Sequence, residues 1–299
     1  MNGPSMKQLR YFDSLARLGH FGRAAEDCAV SQPALSVQIK ELETLIGAPL
    51  VERGARRTSL TGLGEEFAAR ARGILRAVDE LGELGRASQS SFSGQLRIGV
   101  IPTVAPYLMP NIVKALVRCH PQLDPRPREA VTQKLIEDLI EARLDAAVVA
   151  LPISEPTLEQ VTLFEEEFVL VRPPEDEGKP VPSSQALREM RLLLLEEGHC
   201  FREQALSYCK TTSSPPRDLM EGSSLSTLVQ MVGAGIGVTL IPQMAVAVET
   251  RAATVSVVSL AHPRPSRRIG MIWRKTNPLA HQLIAMTEII REVAAKTMG

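Results

Sequence analysis

The sequence has few cysteines and no long apolar run, and each of these shortages excludes a class of protein. Four cysteines in 299 residues are too few for a disulfide framework, so we expect free thiols in a reducing compartment. The longest apolar stretches fall far short of the roughly 18 residues that span a bilayer, which argues against a membrane protein. The N-terminal residues also lack the basic and then apolar run of a signal peptide, so we expect a cytoplasmic protein.

Net charge of one sign is lacking as well. The chain has 34 basic and 34 acidic side chains, and its first 90 residues hold 12 and 11 of them, which leaves 22 and 23 for the rest. The two parts therefore carry +1 and −1, and any nucleic-acid binding must depend on where a few cations lie. At about 150 residues per domain, the length predicts two domains with full hydrophobic cores.

The first sixty residues have the pattern of a compact helical unit. Apolar residues recur at three and four spacing from Leu9 and again from Leu35, with a short helix predicted over 21–28 between them. Ser31 is placed to cap the next helix, and Gly47 to end it. A Gly-containing hairpin rich in arginine follows over 50–60. Residues 1–60 therefore predict a helix-turn-helix followed by a hairpin.

The second helix of such a motif reads DNA from the major groove, and it needs polar groups on its exposed face. The candidate DNA-binding residues lie on this helix and in the hairpin: Ser31, Gln32, Pro33, Ser36, Gln38, Lys40, Arg53, Arg56 and Arg57. Glutamine pairs with adenine, lysine contacts guanine or phosphate, and arginine suits phosphates or the minor groove. The alternative is a surface amphipathic helix beside a solvated basic loop.

Residues 61–90 predict one long helix with a heptad seam. Phe67, Ala71, Ile74, Val78 and Leu81 follow one another at spacings of 4, 3, 4 and 3. Nothing adjacent in the sequence covers this stripe, which favours dimerisation with a second chain. The alternative is that the stripe packs on its own domain.

From residue 94 onward, strands alternate with helices, which predicts α/β layers. We expect strands at 96–101, 146–151, 167–171, 192–195, 238–241, 255–260 and 268–273, and helices near 109–118, 132–142, 224–234 and 280–295.

The stretch from Ala24-Ala25 through Val30-Ser31-Gln32-Pro33-Ala34-Leu35-Ser36, with later residues such as Gly47 and Gly64, resembles the winged helix-turn-helix of LysR-type transcriptional regulators. The resemblance covers essentially the whole chain. It implies a winged helix-turn-helix at 1–60, a linker and dimerisation helix at 61–90, and an effector domain at 94–299 with the fold of a periplasmic binding protein. That domain would have two α/β subdomains, the first formed by 94–166 plus 268–299 and the second by 167–267.

A second group of residues surrounds two cysteines. Cys200 follows Gly198 and His199 at the predicted start of a short helix, where the helix dipole favours a thiolate, and Cys209 lies nine residues further on. If the segment between them is helical, the two lie about 13 Å apart, too far for a disulfide without unwinding. The alternative is a pair of buried structural cysteines.

The Gly-His-Cys core with its second cysteine resembles the OxyR-type, hydrogen-peroxide-sensing subfamily of these regulators. The resemblance implies that Cys200 is oxidised first to a sulfenic acid and that Cys209 resolves it as a disulfide. It also places Thr103 and Thr132 as hydroxyls that position peroxide, with helix capping as the alternative role, and His199 as a helper. Arg267 matches the arginine that stabilises the thiolate, although Arg268 is adjacent and could hold that role instead.

We therefore predict a peroxide-sensing transcriptional regulator rather than an enzyme, with no metal and no cofactor. The expected partners are double-stranded DNA with inverted-repeat half-sites, RNA polymerase, a cellular dithiol reductant, and further copies of the chain in a dimer that assembles to a tetramer. The alternative is a LysR-type regulator that binds a small organic effector in the cleft between the effector subdomains. A third possibility is a thiol peroxidase with a DNA-binding appendage.

Overall fold

The computed structural model of the chain describes residues 3–52, 58–87, 92–208 and 219–298. The chain divides into two compact units, Met1–Gly85 and Arg86–Gly299, and each is described by itself. Among the described residues, no helix is both long and apolar enough to cross a membrane.

The N-terminal unit is helical apart from one small hairpin. Its elements are α1 (Met6–Leu18), α2 (Phe21–Asp27), α3 (Gln32–Ile46), β1 (Val51–Glu52), β2 (Ser59–Leu60) and α4 (Gly62–Ala87). Phe12 of α1 and both Leu35 and Leu42 of α3 are fully buried in its core. The helix-turn-helix predicted from apolar spacing is therefore present as α2 and α3.

Capping residues explain where these helices begin and end. Ser5 and Gln8 form a reciprocal capping box at the start of α1. The Ser31 hydroxyl accepts a hydrogen bond from the backbone N–H of Ala34, as predicted for the start of α3. Gly47 has a left-handed φ of 78°, which terminates α3 where the sequence places its end.

The hairpin and the start of α4 pack closely together. Val51 pairs with Leu60 in antiparallel register, while 53–57 lie outside the described residues. The backbone N–H of Gly64 donates to the Thr61 hydroxyl at 3.0 Å. A Cβ on Gly64 would overlap the carbonyl of Leu50, so this close approach of helix to hairpin requires glycine.

The apolar seam of α4 is only partly covered within its own unit. The Phe67 ring packs edge-to-face on that of Phe12, with centroids 5.4 Å apart, and Ala71 is buried. Ile74, Val78 and Leu81 are 50%, 37% and 65% exposed. The first part of the stripe thus packs on its own domain, and the second part is left open to solvent.

The C-terminal unit alternates strands and helices. Its strands are β3 (Gly94–Val100), β4 (Leu123–Glu129), β5 (Ala146–Leu151), β6 (Leu158–Arg172), β7 (Leu192–Leu195), β8 (Leu219–Gly222), β9 (Val238–Pro242), β10 (Ser256–Ser259) and β11 (Ser266–Arg274). Its helices are α5 (Ala105–Cys119), α6 (Thr132–Ile140), α7 (Ser184–Leu187), α8 (Cys200–Tyr208), α9 (Leu225–Gly233), α10 (Val246–Glu249) and α11 (Ala280–Met298).

The strands run in the order β4-β3-β5-β11-β6-β9-β7-β8, and β10 also pairs with β6. Residues 158–167 of β6 pair with β11, whereas 168–172 pair with β9 and β10. The long strand β6 therefore passes from a first strand group (β3, β4, β5 and β11) to a second strand group (β7, β8, β9 and β10). The predicted α/β class is confirmed.

The sequence pattern missed the two strands at the ends of this order, β4 and β8. Strand β4 has the sequence LDPRPRE, in which two prolines and four charged residues hide any apolar alternation. Prolines and charges are tolerated at sheet edges, because one side of an edge strand needs no ladder hydrogen bonds. The four-residue β8 is too short to show a period.

Candidate functional site

Cys200 begins helix α8, close to the end of a buried strand. The four leucines of β7 are all buried, and a short loop leads from them to Gly198, whose left-handed φ of 93° turns the chain into the helix. The side chain of Cys200 is a partly buried free thiol. The position of Cys200 at the start of α8 is the one predicted from the sequence.

The thiol lies in a small crevice with three of the other predicted site residues. We call it the Cys200 crevice; it is lined by Ile101, Pro102, Thr103, Val131, Thr132, His199, Cys200 and Phe201. Its walls come from the segment after β3, the start of α6 and the start of α8. Two hydroxyls and an imidazole thus line the space next to a thiol at a helix start.

The two threonines of this crevice do not cap helices, so the alternative interpretation of their role was wrong. The capping positions of α5 and α6 are Val104 and Val131, and neither helix has a side-chain cap. The Thr103 hydroxyl oxygen instead accepts a hydrogen bond from Arg267. The buried hydroxyl oxygen of Thr132 has no protein hydrogen-bond partner among the described residues.

Arg267 of β11 is joined to this crevice through Thr103 and Phe201. Its Nη1 donates to the hydroxyl oxygen of Thr103 at 2.7 Å, and its Nε donates to Glu166 Oε1 at 2.7 Å. Its guanidinium carbon lies 5.3 Å from the centroid of the Phe201 ring, a cation–π arrangement. Because Arg267 is buried and Arg268 is exposed, the arginine that reaches the site is Arg267.

The imidazole of His199 lines the crevice and an adjoining cavity. Burial lowers the pKa of His199, while the carboxylates of Glu196 and Glu129 oppose that shift. The net lowering favours the neutral ring near pH 7, which has one donor and one acceptor nitrogen. His199 can therefore both accept a proton and donate a hydrogen bond beside the thiol.

The adjoining cavity has a volume of about 100 Å³. Its polar wall includes Glu249, which accepts hydrogen bonds from the hydroxyl of Tyr107 at 2.6 Å and from that of Ser226 at 2.5 Å. Burial and the bond to Glu249 raise the pKa of Tyr107 far above its usual range, so Tyr107 remains a donor. Pockets for organic ligands usually measure about 300–1,000 Å³, so this cavity fits a molecule of a few atoms better than an organic effector.

Sequence reasoning missed Glu166, although a signal for it exists. Glu166 lies between Phe164 and Phe168 on one face of β6, and alternation along a strand turns this middle glutamate inward with the two phenylalanines. Glu249 and Tyr107 were missed as well. Nothing local marks these two, since they are 142 residues apart in the chain.

The second cysteine of the predicted pair, Cys209, lies outside the described residues, which stop at 208 and resume at 219. Helix α8 extends from Cys200 to Tyr208, so the segment before Cys209 is helical, as the distance argument assumed. Of the remaining cysteines, Cys28 is partly buried and Cys119 is exposed.

The predicted DNA-binding residues of α3 lie mostly on its solvent face. Ser31, Gln32, Pro33, Ser36 and Lys40 are exposed, whereas Leu35, Ile39 and Leu42 face the core. Gln38 is half-buried and donates to Glu41 at 2.7 Å, so that amide is engaged within the helix. Arg53, Arg56 and Arg57 lie outside the described residues.

Comparison with protein families gives two matches that together cover most of the chain. Residues 6–65 match the bacterial regulatory helix-turn-helix proteins of the lysR family, and residues 89–295 match the LysR substrate binding domain.

Individual relatives align over nearly their full length. A probable hydrogen peroxide-inducible genes activator of Streptomyces viridosporus is 42% identical, over 97% of this chain and 94% of the relative. The DNA-binding transcriptional dual regulator OxyR of Escherichia coli K12 is 37% identical, over 96% of this chain and 95% of the relative. A full-length OxyR variant from Pseudomonas aeruginosa superimposes with a TM-score of 0.76 at 34% identity, covering 97% and 96% of the two chains. A hydrogen-peroxide-bound OxyR variant of Corynebacterium glutamicum gives a TM-score of 0.68 at 30% identity, covering 99% and 94%.

Proposed function

The chain belongs to the LysR-type transcriptional regulators and, within them, to the OxyR group, and from this membership we propose that it senses hydrogen peroxide at Cys200. The observation that carries the proposal is the Cys200 crevice, in which a thiol at a helix start shares a small space with the hydroxyls of Thr103 and Thr132 and the imidazole of His199. The adjoining cavity of about 100 Å³ favours a signal as small as peroxide over an organic effector.

The first chemical step is attack of the Cys200 thiolate on one oxygen of hydrogen peroxide. A sulfur–oxygen bond forms, the oxygen–oxygen bond breaks, and the departing hydroxide takes up a proton to become water. Sulfur is oxidised by two electrons and peroxide is reduced by two. The hydroxyls of Thr103 and Thr132 position the peroxide, and His199 and Arg267 stabilise the charges that move in this step.

The second step joins Cys200 to Cys209. The Cys209 thiolate attacks the sulfenic sulfur, a disulfide forms, and the sulfur–oxygen bond breaks with release of water after protonation. The nine residues of α8 span about 13 Å, whereas disulfide-linked Cα atoms lie about 4.4–6.8 Å apart. Disulfide formation therefore requires α8 to unwind, and the region 200–222 repacks. A cellular dithiol returns both sulfurs to thiols.

Repacking of the effector domain at 94–299 changes how the DNA-binding domain at 1–60 meets its site. The exposed polar face of α3 enters the major groove, and dimerisation through 61–90 places two such helices on inverted-repeat half-sites. Two dimers act together as a tetramer, with RNA polymerase as the further partner at the promoter. The chain works in the cytoplasm, where the dithiol reductant is available.

The open part of the α4 seam gives a test of dimerisation. We expect Ile74→Glu to weaken the association of chains through this seam, because it places a carboxylate on a surface that pairing would bury. A cost of about 3 kcal/mol would weaken dimerisation roughly a hundredfold, which light scattering across a dilution series would measure. Ala69→Glu, at an exposed position off the seam, is the matched control. An assembly of unchanged size and affinity in Ile74→Glu would exclude this seam as an interface.

Peptide-mapped mass spectrometry tests the sensing chemistry. The reduced full chain receives about one equivalent of hydrogen peroxide, and the state of all four cysteines is followed with time. We expect a rapid Cys200–Cys209 linkage, while exposed Cys119 and partly buried Cys28 react slowly and serve as internal references. Oxidation of Cys119 as fast as that of Cys200 would show that the crevice confers no special reactivity on its thiol.

A further inference from the structure

Glu166 is a buried carboxylate with no assigned part in the chemistry proposed above. It is the middle member of the run Glu165-Glu166-Glu167 in β6, and its two neighbours are exposed. Its side chain is 1% exposed, and it lies directly opposite Arg267 in the antiparallel register of β6 and β11. A charged pair taken this far out of water indicates that its geometry is tightly specified.

The contacts of Glu166 hold one edge of the Arg267 guanidinium. Glu166 Oε1 accepts a hydrogen bond from Arg267 Nε at 2.7 Å and forms an ion pair with Nη2 at 2.6 Å. Its second oxygen accepts a long hydrogen bond of 3.5 Å from the backbone N–H of Met244. Both carboxylate oxygens therefore have partners, and the carboxylate fixes the position and orientation of the Arg267 guanidinium.

The other edge of the same guanidinium reaches Thr103. Arg267 Nη1 donates to the Thr103 hydroxyl oxygen at 2.7 Å, and Nη2 donates to the Thr103 carbonyl oxygen at 3.1 Å. A guanidinium has only donors, so the Thr103 oxygen is the acceptor in this bond and its single proton is available to another group. Thr103 lines the Cys200 crevice, where that proton can be donated.

We propose that Glu166 is a positioning residue for peroxide reduction, which holds Arg267 so that Arg267 directs the Thr103 hydroxyl proton into the Cys200 crevice. This inference rests on the proposed function. A hydroxyl donated to peroxide stabilises the negative charge that develops on the leaving oxygen as the oxygen–oxygen bond breaks. The effect of Glu166 on the reaction is thus transmitted through Thr103.

Two reagents separate positioning from a purely structural or electrostatic role. Peroxide needs both the thiolate and the directed hydroxyl, whereas iodoacetamide, an alkylating reagent, needs the thiolate but no hydrogen bond to a leaving oxygen. If Glu166 served only as the counter-ion of Arg267, its loss would change both reaction rates of Cys200 together. If Glu166 acts through Thr103, the peroxide rate falls and the alkylation rate does not.

The experiment is a double-mutant cycle on the full reduced chain. Rate constants of Cys200 with peroxide and with iodoacetamide are measured at one pH in wild type, Glu166→Gln, Thr103→Val and the double variant. We expect Glu166→Gln to slow the peroxide reaction about tenfold, with the alkylation rate changed less than about twofold. In the Thr103→Val background, Glu166→Gln should have no further effect. Glu165→Gln, on the exposed face of the same strand, is the matched control and should match wild type.

Three outcomes overturn the inference. The first is an unchanged peroxide rate in Glu166→Gln, and the second is an equal fall in its peroxide and alkylation rates. The third is a double variant whose peroxide rate falls by the product of the two single-variant effects. If Glu166→Gln does not fold, Glu166→Asp applies the same criteria, because its shorter side chain keeps the charge and loses the reach to Arg267. Failure of the proposed function would be distinguishable from failure of this inference, because it would show in the wild type. There, Cys200 would react with peroxide no faster than Cys119.

Discussion

Cys200→Ser is expected to abolish the peroxide-dependent change in DNA binding, while the variant still binds DNA in the manner of the reduced protein. The serine hydroxyl is nearly the same size as the thiol, so α8 and the Cys200 crevice should remain in place. At neutral pH, however, a serine hydroxyl is not ionised and does not reduce peroxide. Footprinting of the full chain on its DNA site before and after peroxide measures this effect, which should be a complete loss of the shift.

The matched control is Cys119→Ser, since Cys119 is exposed and lies at the end of α5 rather than at a helix start. Its footprint should shift with peroxide as in wild type. A peroxide-dependent footprint that persisted in Cys200→Ser would refute sensing at this cysteine. A footprint that shifted with a small organic molecule in both variants would favour the organic effector, despite the small size of the cavity beside His199.

Arg267→Met should lower the free energy of unfolding of the C-terminal unit by about 3–5 kcal/mol, because it leaves the Glu166 carboxylate buried without its partner. The melting temperature should fall by roughly 10 °C. Trp273, the single tryptophan of the chain, is buried in the same strand as Arg267, so its fluorescence reports unfolding of this unit. Arg268→Met is the neighbouring control; its side chain is exposed, and its effect should stay within about 0.5 kcal/mol.

The loss in Arg267→Met should also depend on pH. Burial raises the pKa of Glu166 in the folded protein, and the charge and hydrogen bonds of Arg267 partly offset that rise. A carboxyl whose pKa is raised on folding destabilises the fold as pH rises through that value, and removal of Arg267 raises it further. The difference in the free energy of unfolding between Arg267→Met and wild type should therefore be largest near pH 8 and become smaller toward pH 5. A gap of constant size would show that Glu166 is not the group left unpaired.

The elements of the N-terminal unit were predictable from local chemistry. Ser31 and Gly47 mark the two ends of α3 through capping and left-handed backbone, and these effects depend on a few adjacent residues. Cys200 at the start of α8 was predictable for the same reason, since Gly198 precedes it.

The parts of the site that sequence reasoning missed depend on pairing between distant segments. Arg267 meets Glu166 across 101 residues only because β6 and β11 adopt one register, and register is set by the assembled sheet. The capping role considered for Thr103 failed for a related reason: a buried arginine from β11 takes the hydroxyl that a local pattern assigns to the helix. The roles proposed for His199, Thr132 and Cys209 stay predictions.

Within the part of the chain that the structure describes, the buried hydroxyl of Thr132 lacks a protein hydrogen-bond partner, and this lowers the stability of the fold. Valine has nearly the same volume and would remove a buried polar atom that has no protein partner among the described residues, whose desolvation costs about 1–3 kcal/mol. If stability of the fold were the only requirement, valine would therefore be favoured at this position. A molecule that satisfied the hydroxyl would recover that free energy only while bound, and it would therefore bind the folded chain in preference to the unfolded one. On this reasoning, any ligand that bonded to the Thr132 hydroxyl would stabilise the folded chain by up to the free energy lost in desolvating that group.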